Sequence, residues 1–179
     1  MNISSDIIQG CLKGSSQSQK MLYDKLAPYL LGVARRYISD AILAEDMMIE
    51  SMYKVLTKIQ QFSGEGNFVA WARRICVNEC LMSLRKNKAY FESIDDSHLQ
   101  IGDVERIEGD IAAKDIMNLL QKLPTGYRTV FNMYVIEGYK HREIAEKLGI
   151  SINTSKSQLI LAKRKMLKLW EELNKTNLD

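Results

Sequence analysis

The stretch EIAEKLGIS, from Glu143 to Ser151, carries the strongest structural signal in the sequence. Ile144 and Leu148 are four residues apart, so they share one face of a helix, and that apolar face is expected to be buried. Gly149 stands where a helix ends in the left-handed conformation, which glycine adopts without steric cost. Ser151 can accept a hydrogen bond from the free amides of a following helix. The pattern therefore predicts two helices joined by a tight turn.

The second helix of this pair is predicted from Ile152 to about Leu169, with Leu159, Ala162 and Met166 on its buried side. Hydrogen-bonding side chains on its first turns, with cations around them, are what reading of the DNA major groove requires. The side chains predicted to face outward are Asn153, Thr154, Lys156, Ser157, Gln158 and Lys163. Residues 139–166 are thus predicted to form a DNA-binding helix-turn-helix; the alternative is an ordinary helical hairpin with a solvated basic face.

Charge is distributed unevenly along the 179 residues, although the net charge is only +3. Residues 92–110 hold seven acidic side chains and one arginine, whereas residues 139–168 hold eight basic and two acidic side chains. The acidic segment also shows no apolar period, which favours a flexible linker. A basic module behind an acidic connector is typical of a protein that binds a polyanion.

The composition favours an all-α protein made of two small helical domains. Only two prolines and ten glycines interrupt a chain rich in residues that favour helices. We predict a first domain over residues 1–90, the acidic linker over 91–110, and a second domain over 111–179. In the first domain, the apolar spacing predicts successive amphipathic helices, with Asp40 as the cap of one of them.

Several classes of protein are disfavoured by what the sequence lacks. No apolar run approaches the roughly 20 residues that a membrane-spanning helix needs, and the first residues do not resemble a secretion signal. Three cysteines do not make a disulfide framework, so a reducing cytoplasm is expected. Cys76 and Cys80 lack further ligand partners, which favours small core residues over a zinc site. We expect no metal, no cofactor and no small-molecule substrate.

An enzyme acting on DNA is a further alternative, for example a helical recombinase or nuclease. Such an enzyme would need a nucleophile beside a basic cluster, or several carboxylates that bind metal. Asp46 and Glu50 are four residues apart, but no second acidic helix is evident to complete a site. His98 falls in the acidic linker and His141 on the basic helix pair, so neither is placed as a base. The sequence therefore favours a protein without catalytic residues.

Three blocks of sequence, in this order, carry a resemblance to a known family: AEDMMIESMYKVLTKIQQF from Ala44, FVAWARRICVNECLMSLRK from Phe68, and GYKHREIAEKLGISINTSKSQLILAKRKM from Gly138. The chain resembles the extracytoplasmic-function sigma factors, the short two-domain members of the sigma-70 family of bacterial RNA polymerase. The resemblance implies that the first domain is sigma region 2 and the second is sigma region 4.

For the first block, the resemblance implies docking of a helix on the clamp helices of the polymerase largest subunit. The residues that it assigns to this contact are Asp46, Ile49, Glu50 and Tyr53. An acidic, partly apolar exposed face suits a helix-on-helix interface, although a solvated acidic face is the simpler interpretation of the pattern alone. Ile49 stands where the family usually has glutamine, which exchanges a polar contact for an apolar one.

For the second block, the resemblance implies recognition and opening of the minus-ten promoter element. Opening DNA requires pockets that hold bases out of the stack and cations that follow the backbone. The residues predicted to supply these contacts are Asn67, Trp71, Arg73, Arg74, Asn78, Arg85, Lys86 and Lys88. Phe68 is expected to be core, and Trp71 to be mostly core at a domain seam, because aromatic residues at helical spacing usually pack inward.

For the third block, the resemblance implies recognition of the minus-thirty-five element. The predicted contacts are Lys140, Asn153, Thr154, Ser155, Lys156, Ser157, Gln158, Lys163 and Arg164. Lys140 replaces a common capping serine, so a less firm helix start is expected. Ser155 replaces a usual valine and is expected to weaken core packing. Gln158 replaces a usual arginine, and bidentate pairing with adenine is its predicted role.

The implied partners are bacterial core RNA polymerase, promoter DNA and an anti-sigma factor, and the chain itself is not expected in the membrane. A sigma factor directs promoter-specific initiation and leaves the chemistry to the polymerase. The alternative is a two-domain helix-turn-helix activator that binds duplex DNA without joining core polymerase. That alternative leaves the second block, with its loop and its terminal Arg85–Lys86 pair, without a role.

Overall fold

The computed structural model describes residues 1–86, Phe91 and residues 113–176. Its chain-order elements are α1 (Ser5–Leu12), α2 (Ser16–Tyr37), α3 (Ala41–Thr57), a 3₁₀ turn (Ile59–Gln61), α4 (Phe68–Arg85), α5 (Ala113–Gln121), α6 (Thr125–Phe131), a π-helical turn (Asn132–Ile136), α7 (His141–Leu148) and α8 (Ile152–Thr176). No strand occurs in these ranges. The predicted all-α class is confirmed.

The chain divides into two compact units, Met1–Ser83 and Leu84–Asp179, called here the first and the second unit. The acidic segment predicted as a linker lies outside the described residues, apart from Phe91, whose side chain is buried. The linker and its boundaries at residues 91 and 110 stay predictions.

In the first unit, α2 is a single long helix that packs against α1 and α3. Its buried stripe includes Leu22, Leu26 and Leu30, which recur every four residues as the apolar spacing predicts. Pro28 lies inside α2, which continues through it from Ser16 to Tyr37. Proline has no amide proton, so one carbonyl of the preceding helical turn loses its hydrogen-bond donor. Because Pro28 is on the exposed side of α2, this loss falls at the surface and not in the core.

Side-chain caps and one ion pair hold α3 and α4 in place. The Asp40 carboxylate accepts a hydrogen bond from the Leu43 amide at 2.8 Å, which confirms the predicted cap of α3. The Lys54 ammonium donates to the carboxylate of Glu79 on α4, and this hydrogen bond raises the pKa of Lys54. Cys76 and Cys80 are fully buried on α4, as expected of small core residues.

In the second unit, the core forms where α5 and α6 pack against the middle of α8. Leu119, Leu120 and Leu123 of α5 and its following turn meet Ala162 and Met166 of α8. The buried guanidinium of Arg128 donates to the carbonyls of Gln121 and Leu123, both at 3.3 Å. These carbonyls lie at the end of α5, where a helix leaves them without partners of its own.

Candidate polymerase and nucleic-acid interfaces

All four residues predicted to bind core polymerase are exposed on one side of α3. Asp46, Ile49, Glu50 and Tyr53 follow each other at intervals of three, one and three residues, which places them on one helical face. Ile49 is 56% exposed and Tyr53 63% exposed, large values for apolar side chains. The Lys54 ammonium lies 3.6 Å from the Glu50 carboxylate. Ile49 and Tyr53 therefore give this acidic face an apolar centre that is largely exposed and contributes little to packing within the unit.

One residue of this surface was not found from the sequence. Ile42 is 74% exposed and lies one helical turn before Asp46, so it extends the same face toward the start of α3. Its spacing from Asp46 and Ile49 was the signal that could have identified it. We call Ile42, Asp46, Ile49, Glu50 and Tyr53 the α3 face.

Five of the residues predicted to contact the minus-ten element lie on α4, where they form an exposed and a half-buried group. Arg74, Asn78 and Arg85 are exposed at spacings that keep them on one side of the helix, and Lys86, directly after α4, is exposed as well. Arg73 and Trp71 are half-buried. Lys88 lies outside the described residues. We call the outward set, with the 57% exposed Met82 between Asn78 and Arg85, the α4 face.

Trp71 belongs to an aromatic cluster rather than standing free. Its ring centroid lies 5.4 Å from that of Phe68 and 5.7 Å from that of Phe62, and Phe62 meets Phe68 edge-on at 5.2 Å. Phe68 is buried, as predicted. Such a cluster stabilises the start of α4 through both area and ring geometry. Trp71 thus packs against two rings while part of its side chain stays accessible, so its expected core role is met in part.

A cavity of about 360 Å³ opens beside the loop that precedes α4. Phe62, Gly64, Asn67 and Phe68 line it from the loop, and Ile8 and Gln9 line it from α1. Gly64 and Gly66 have φ of 80° and 83°, a conformation in which glycine is favoured.

Asn67 supports this loop by capping α4, because its side-chain oxygen accepts from the Ala70 amide at 3.1 Å. The contribution of α1 to the cavity was not predicted from the sequence, because residues 5–12 contain no recognisable motif.

The helix-turn-helix is present, with the predicted turn between α7 and α8. Gly149 ends α7 at φ 69°, in the left-handed conformation. The Ser151 hydroxyl accepts from the Thr154 amide at 2.9 Å and so caps α8. Ile144 and Leu148 are buried. At the start of α7, the Glu143 carboxylate accepts from the Lys140 amide at 2.8 Å, which supplies a firm start without a capping serine.

The exposed side of α8 carries part of the predicted minus-thirty-five set. Asn153, Lys156 and Lys163 are exposed, and Ser157 and Arg164 are half-buried on the same side. Lys140, before α7, is exposed as well. Ile160 is half-buried within this stripe, one turn after Lys156. We call Asn153, Lys156, Ser157, Ile160, Lys163 and Arg164 the α8 face.

For Thr154 and Gln158 the predicted outward orientation is wrong, whereas burial of Ser155 agrees with its expected place in the core packing; Thr154, Ser155 and Gln158 are all buried. Their exposed fractions are 7%, 0% and 3%. Ser155 and Gln158 are buried because they lie toward the side of α8 that holds Leu159 and Ala162, which the core requires. The Thr154 hydroxyl instead lies 2.8 Å from the Ser151 hydroxyl at the start of the helix. The buried amide of Gln158 is therefore not placed to pair with adenine, and Thr154 and Gln158 lose the exposure on which their assignment to DNA depended.

Ser155 differs from expectation in its packing, because its hydroxyl has a defined partner. The Oγ atom lies 2.9 Å from Nδ1 of His141, the first residue of α7. The His141 ring stacks on the Tyr134 ring, with centroids 4.6 Å apart and planes 25° apart. Burial lowers the pKa of His141, and the positive charges of Lys156 and Lys163 lower it further. A buried hydroxyl with a partner removes the cost expected for serine at this position.

Comparison with known families matches both units. The family model described as sigma-70 region 2 matches residues 22–90, and that described as sigma-70, region 4 matches residues 113–166. Together they cover more than half of the chain, and the region 4 match contains α7 and α8. The chain belongs to the sigma-70 family of RNA polymerase sigma factors.

Its relatives include several extracytoplasmic-function sigma factors, and it is a member of this subfamily. It is 25% identical to RNA polymerase sigma-H factor of Pseudomonas aeruginosa, over 93% of both chains. It is 22% identical to the ECF RNA polymerase sigma-E factor of Haemophilus influenzae, over 88% of this chain and 89% of that protein. The sigma factor SigV of Bacillus subtilis is 28% identical over 75% of this chain and 80% of SigV.

Among solved structures, the chain is similar to the sigma factor RpoE in complex with the anti-sigma factor NepR from Bartonella quintana. The TM-score is 0.49 at 24% identity, over 85% of this chain and 96% of that chain.

The family defines the activity: the chain is an RNA polymerase sigma factor that directs promoter-specific transcription initiation, with core polymerase and promoter DNA as partners. The duplex-binding activator is not favoured, because a sigma region 2 matches the first unit. Helices long and apolar enough to cross a membrane do not occur in the part of the chain that the structure describes. The same residues contain no cluster of three or more potential metal ligands.

Proposed function

We propose that this sigma factor docks on core polymerase through the α3 face. Ile49 and Tyr53 offer exposed apolar area, and Asp46 and Glu50 border it with negative charge. An apolar centre with a charged rim is the usual anatomy of a protein–protein interface. The exposed Ile42 enlarges the apolar centre by a further side chain. The basic groove or helix that such a face suits would lie on the polymerase.

The proposed minus-ten site consists of the α4 face and the cavity beside the Ser63–Asn67 loop. The cations of the α4 face suit the backbone of the separated strand, and Asn78 adds a hydrogen-bonding group. The cavity of about 360 Å³, lined by aromatic rings and by the polar side chains of Asn67 and Gln9, is large enough for an unstacked base. Holding such a base out of the duplex would favour strand opening.

The proposed minus-thirty-five site is the α8 face, with Lys140 beside it. Asn153 and Ser157 offer hydrogen bonds to base edges, while Lys156 and Lys163 offer positive charge to phosphates. The observation that carries the proposal is the division of α8: polar and basic side chains lie outward, and Thr154, Ser155 and Gln158 are buried. Base preference is therefore assigned to Asn153, Ser157 and Ile160, and not to Gln158.

We further propose that the chain acts in the cytoplasm, where core polymerase lies, and contributes no catalytic residue to RNA synthesis. An anti-sigma factor is a proposed partner, because the solved relative is a complex with one. The α3 face is the surface that such an inhibitor would cover, since covering it would prevent docking on polymerase.

Transcription reconstituted from purified parts tests this function. Core polymerase, with and without this chain, would transcribe fragmented bacterial genomic DNA, and the transcript starts would be mapped by sequencing. We expect starts that depend on the chain and that share two conserved elements upstream. A matched reaction would contain the chain with Ile49→Ala and Tyr53→Ala. Starts that are the same with and without the chain would show that the assignment to sigma-dependent initiation is wrong.

A further inference from the structure

We infer that His141 is a phosphate-binding residue of the promoter complex, held by Tyr134 and Ser155 so that its Nε2 atom donates a hydrogen bond to the DNA backbone. This inference rests on the proposed binding of duplex DNA by α7 and α8. His141 was not among the residues assigned to DNA from the sequence. The arrangement of its ring, rather than any motif, points to this role.

The position of His141 in the helix pair supports a backbone contact. His141 is the first residue of α7, the first helix of the helix-turn-helix. In this motif the second helix enters the major groove while the first crosses the DNA backbone. The His141 ring is also close enough to Lys156 and Lys163 for both charges to act on it. The contact that the ring makes with α8 is to Ser155, the neighbour in sequence of Lys156.

The ring is fixed in orientation by two contacts. Its face stacks on Tyr134 at 4.6 Å between centroids, and its Nδ1 lies 2.9 Å from the Ser155 hydroxyl. Ser155 is fully buried on α8, so this hydrogen bond ties the start of α7 to a rigid element. Among the described residues Nε2 has no hydrogen-bond partner, which leaves that nitrogen for a ligand.

The Ser155 hydroxyl suits both protonation states of His141, because a hydroxyl can donate or accept. When the ring is neutral, the hydroxyl can donate to Nδ1, and Nε2 then carries the proton. When the ring is protonated, Nδ1–H donates to the hydroxyl oxygen, and Nε2 still carries a proton. Nε2 is a donor in both cases, as a phosphate requires. A valine at position 155 could not hold the ring in this way.

The charges around His141 predict how DNA changes its protonation. The positive charges of Lys156 and Lys163, both on α8, act on it, and Tyr134 of the π-helical turn stacks on its ring. On its own helix Arg142 is exposed beside it, and the Glu143 carboxylate accepts from the Lys140 amide. Burial and the two lysines hold the pKa of His141 below its ordinary value.

A phosphate near Nε2 would favour the imidazolium and raise that pKa. Binding would then take up a proton. The additional affinity would be complete below the pKa of the free chain and would disappear as the pH rises through the higher pKa of the complex.

Histidine NMR on the full-length chain tests the inference. The chain has two histidines, so His98→Gln leaves the signal of His141 alone. The signal would be titrated without DNA and with saturating random-sequence duplex, which suffices because phosphate contacts carry no sequence information. We expect the pKa of His141 to rise in the complex. We also expect binding at low pH to strengthen about tenfold for each unit of that rise.

Three variants separate the possible outcomes. His141→Gln should remove the pH dependence of binding while the chain stays folded, whereas His98→Gln should keep it. Ser155→Val should weaken binding and reduce the rise in the pKa of His141 while the helical circular dichroism stays unchanged.

A pKa of His141 that stays the same or falls on DNA binding would overturn the inference if Lys156→Ala still weakens binding. If Lys156→Ala has no effect either, the proposed duplex site on α8 fails together with the inference.

Discussion

The α3 face and the α8 face are built on the same helical plan but carry opposite chemistry. Each helix buries an apolar stripe and leaves the opposite side exposed. On α3 the exposed positions hold Ile49 and Tyr53 with acidic neighbours, whereas on α8 they hold Asn153, Lys156 and Lys163. Apolar side chains bordered by acids suit a protein surface, and cations with amides suit a polyanion. The buried stripe thus determines how a helix packs, and the exposed stripe determines what the helix binds.

The largest expected effect concerns the apolar centre of the α3 face. Replacing Ile49 and Tyr53 together by alanine should weaken binding to core polymerase by about 2–4 kcal/mol, because buried aromatic anchors dominate interface energies. Fluorescence anisotropy of the labelled chain with core polymerase would measure the dissociation constant. Ile152→Ala is the control, since Ile152 is 45% exposed on the second unit. An equal loss of affinity for core polymerase in the Ile152→Ala variant and in the double variant would contradict the assignment of docking to α3.

A smaller effect is expected at the turn of the helix-turn-helix, which has no counterpart in α3. Gly149→Ala should lower the free energy of unfolding by about 1–2 kcal/mol, because alanine at φ 69° strains the backbone. Gly32→Ala is a matched control: Gly32 lies inside α2 with nothing within 4 Å of an added Cβ, so stabilisation by up to about 1 kcal/mol is expected. Urea denaturation would measure both. A stabilised Gly149→Ala variant would contradict the strained-turn interpretation.

The charge of the α8 face should appear in the salt dependence of DNA binding. If Lys156 contacts a phosphate, Lys156→Ala should reduce the slope of log affinity against log salt by about one unit. Binding of the full-length chain to duplex DNA at several salt concentrations would measure this slope. Lys20→Ala is the control, because Lys20 is an exposed lysine of α2 paired with Asp24. An unchanged slope for Lys156→Ala would remove Lys156 from the proposed site.

The smallest expected effect is on base preference at Gln158. Because this side chain is 3% exposed, Gln158→Leu should leave the preferred upstream element unchanged, whereas Asn153→Ala should alter it at one or two bases. Selection of binding sites from a randomised duplex, with each variant in holoenzyme, would measure the preference. If Gln158→Leu changed the preferred upstream element and Asn153→Ala did not, base recognition would have to be assigned to Gln158 and not to Asn153.

Most of the helix-turn-helix was predictable because its determinants are local. A glycine with positive φ, a serine that caps the next helix and apolar residues at helical spacing each act within one or two turns. The same holds for Asp40 at the start of α3. The inward side of α8 was not predictable to the residue, because the polar side chains of Thr154 and Gln158 occupy positions that were expected to face outward and are buried.

The cavity beside the Ser63–Asn67 loop depends on contacts between distant segments. Ile8 and Gln9 line this cavity together with Phe68, although some sixty residues separate them from Phe68 in the chain. The cluster of Tyr134, His141 and Ser155 likewise joins three separate helical segments. Such contacts between distant segments cannot be predicted from local spacing, because they depend on how the apolar faces of the helices pack against one another.

By itself, the sequence determined the all-α class, the turn at Gly149 and the uneven distribution of charge, because these depend on each residue and its near neighbours. The tertiary structure decided which polar residues of α8 face outward and which line the core. It also decided that a histidine outside the predicted site contacts Tyr134 and Ser155. Burial is a property of the whole packed unit, so only the fold could separate Lys156 from the buried Thr154 and Gln158.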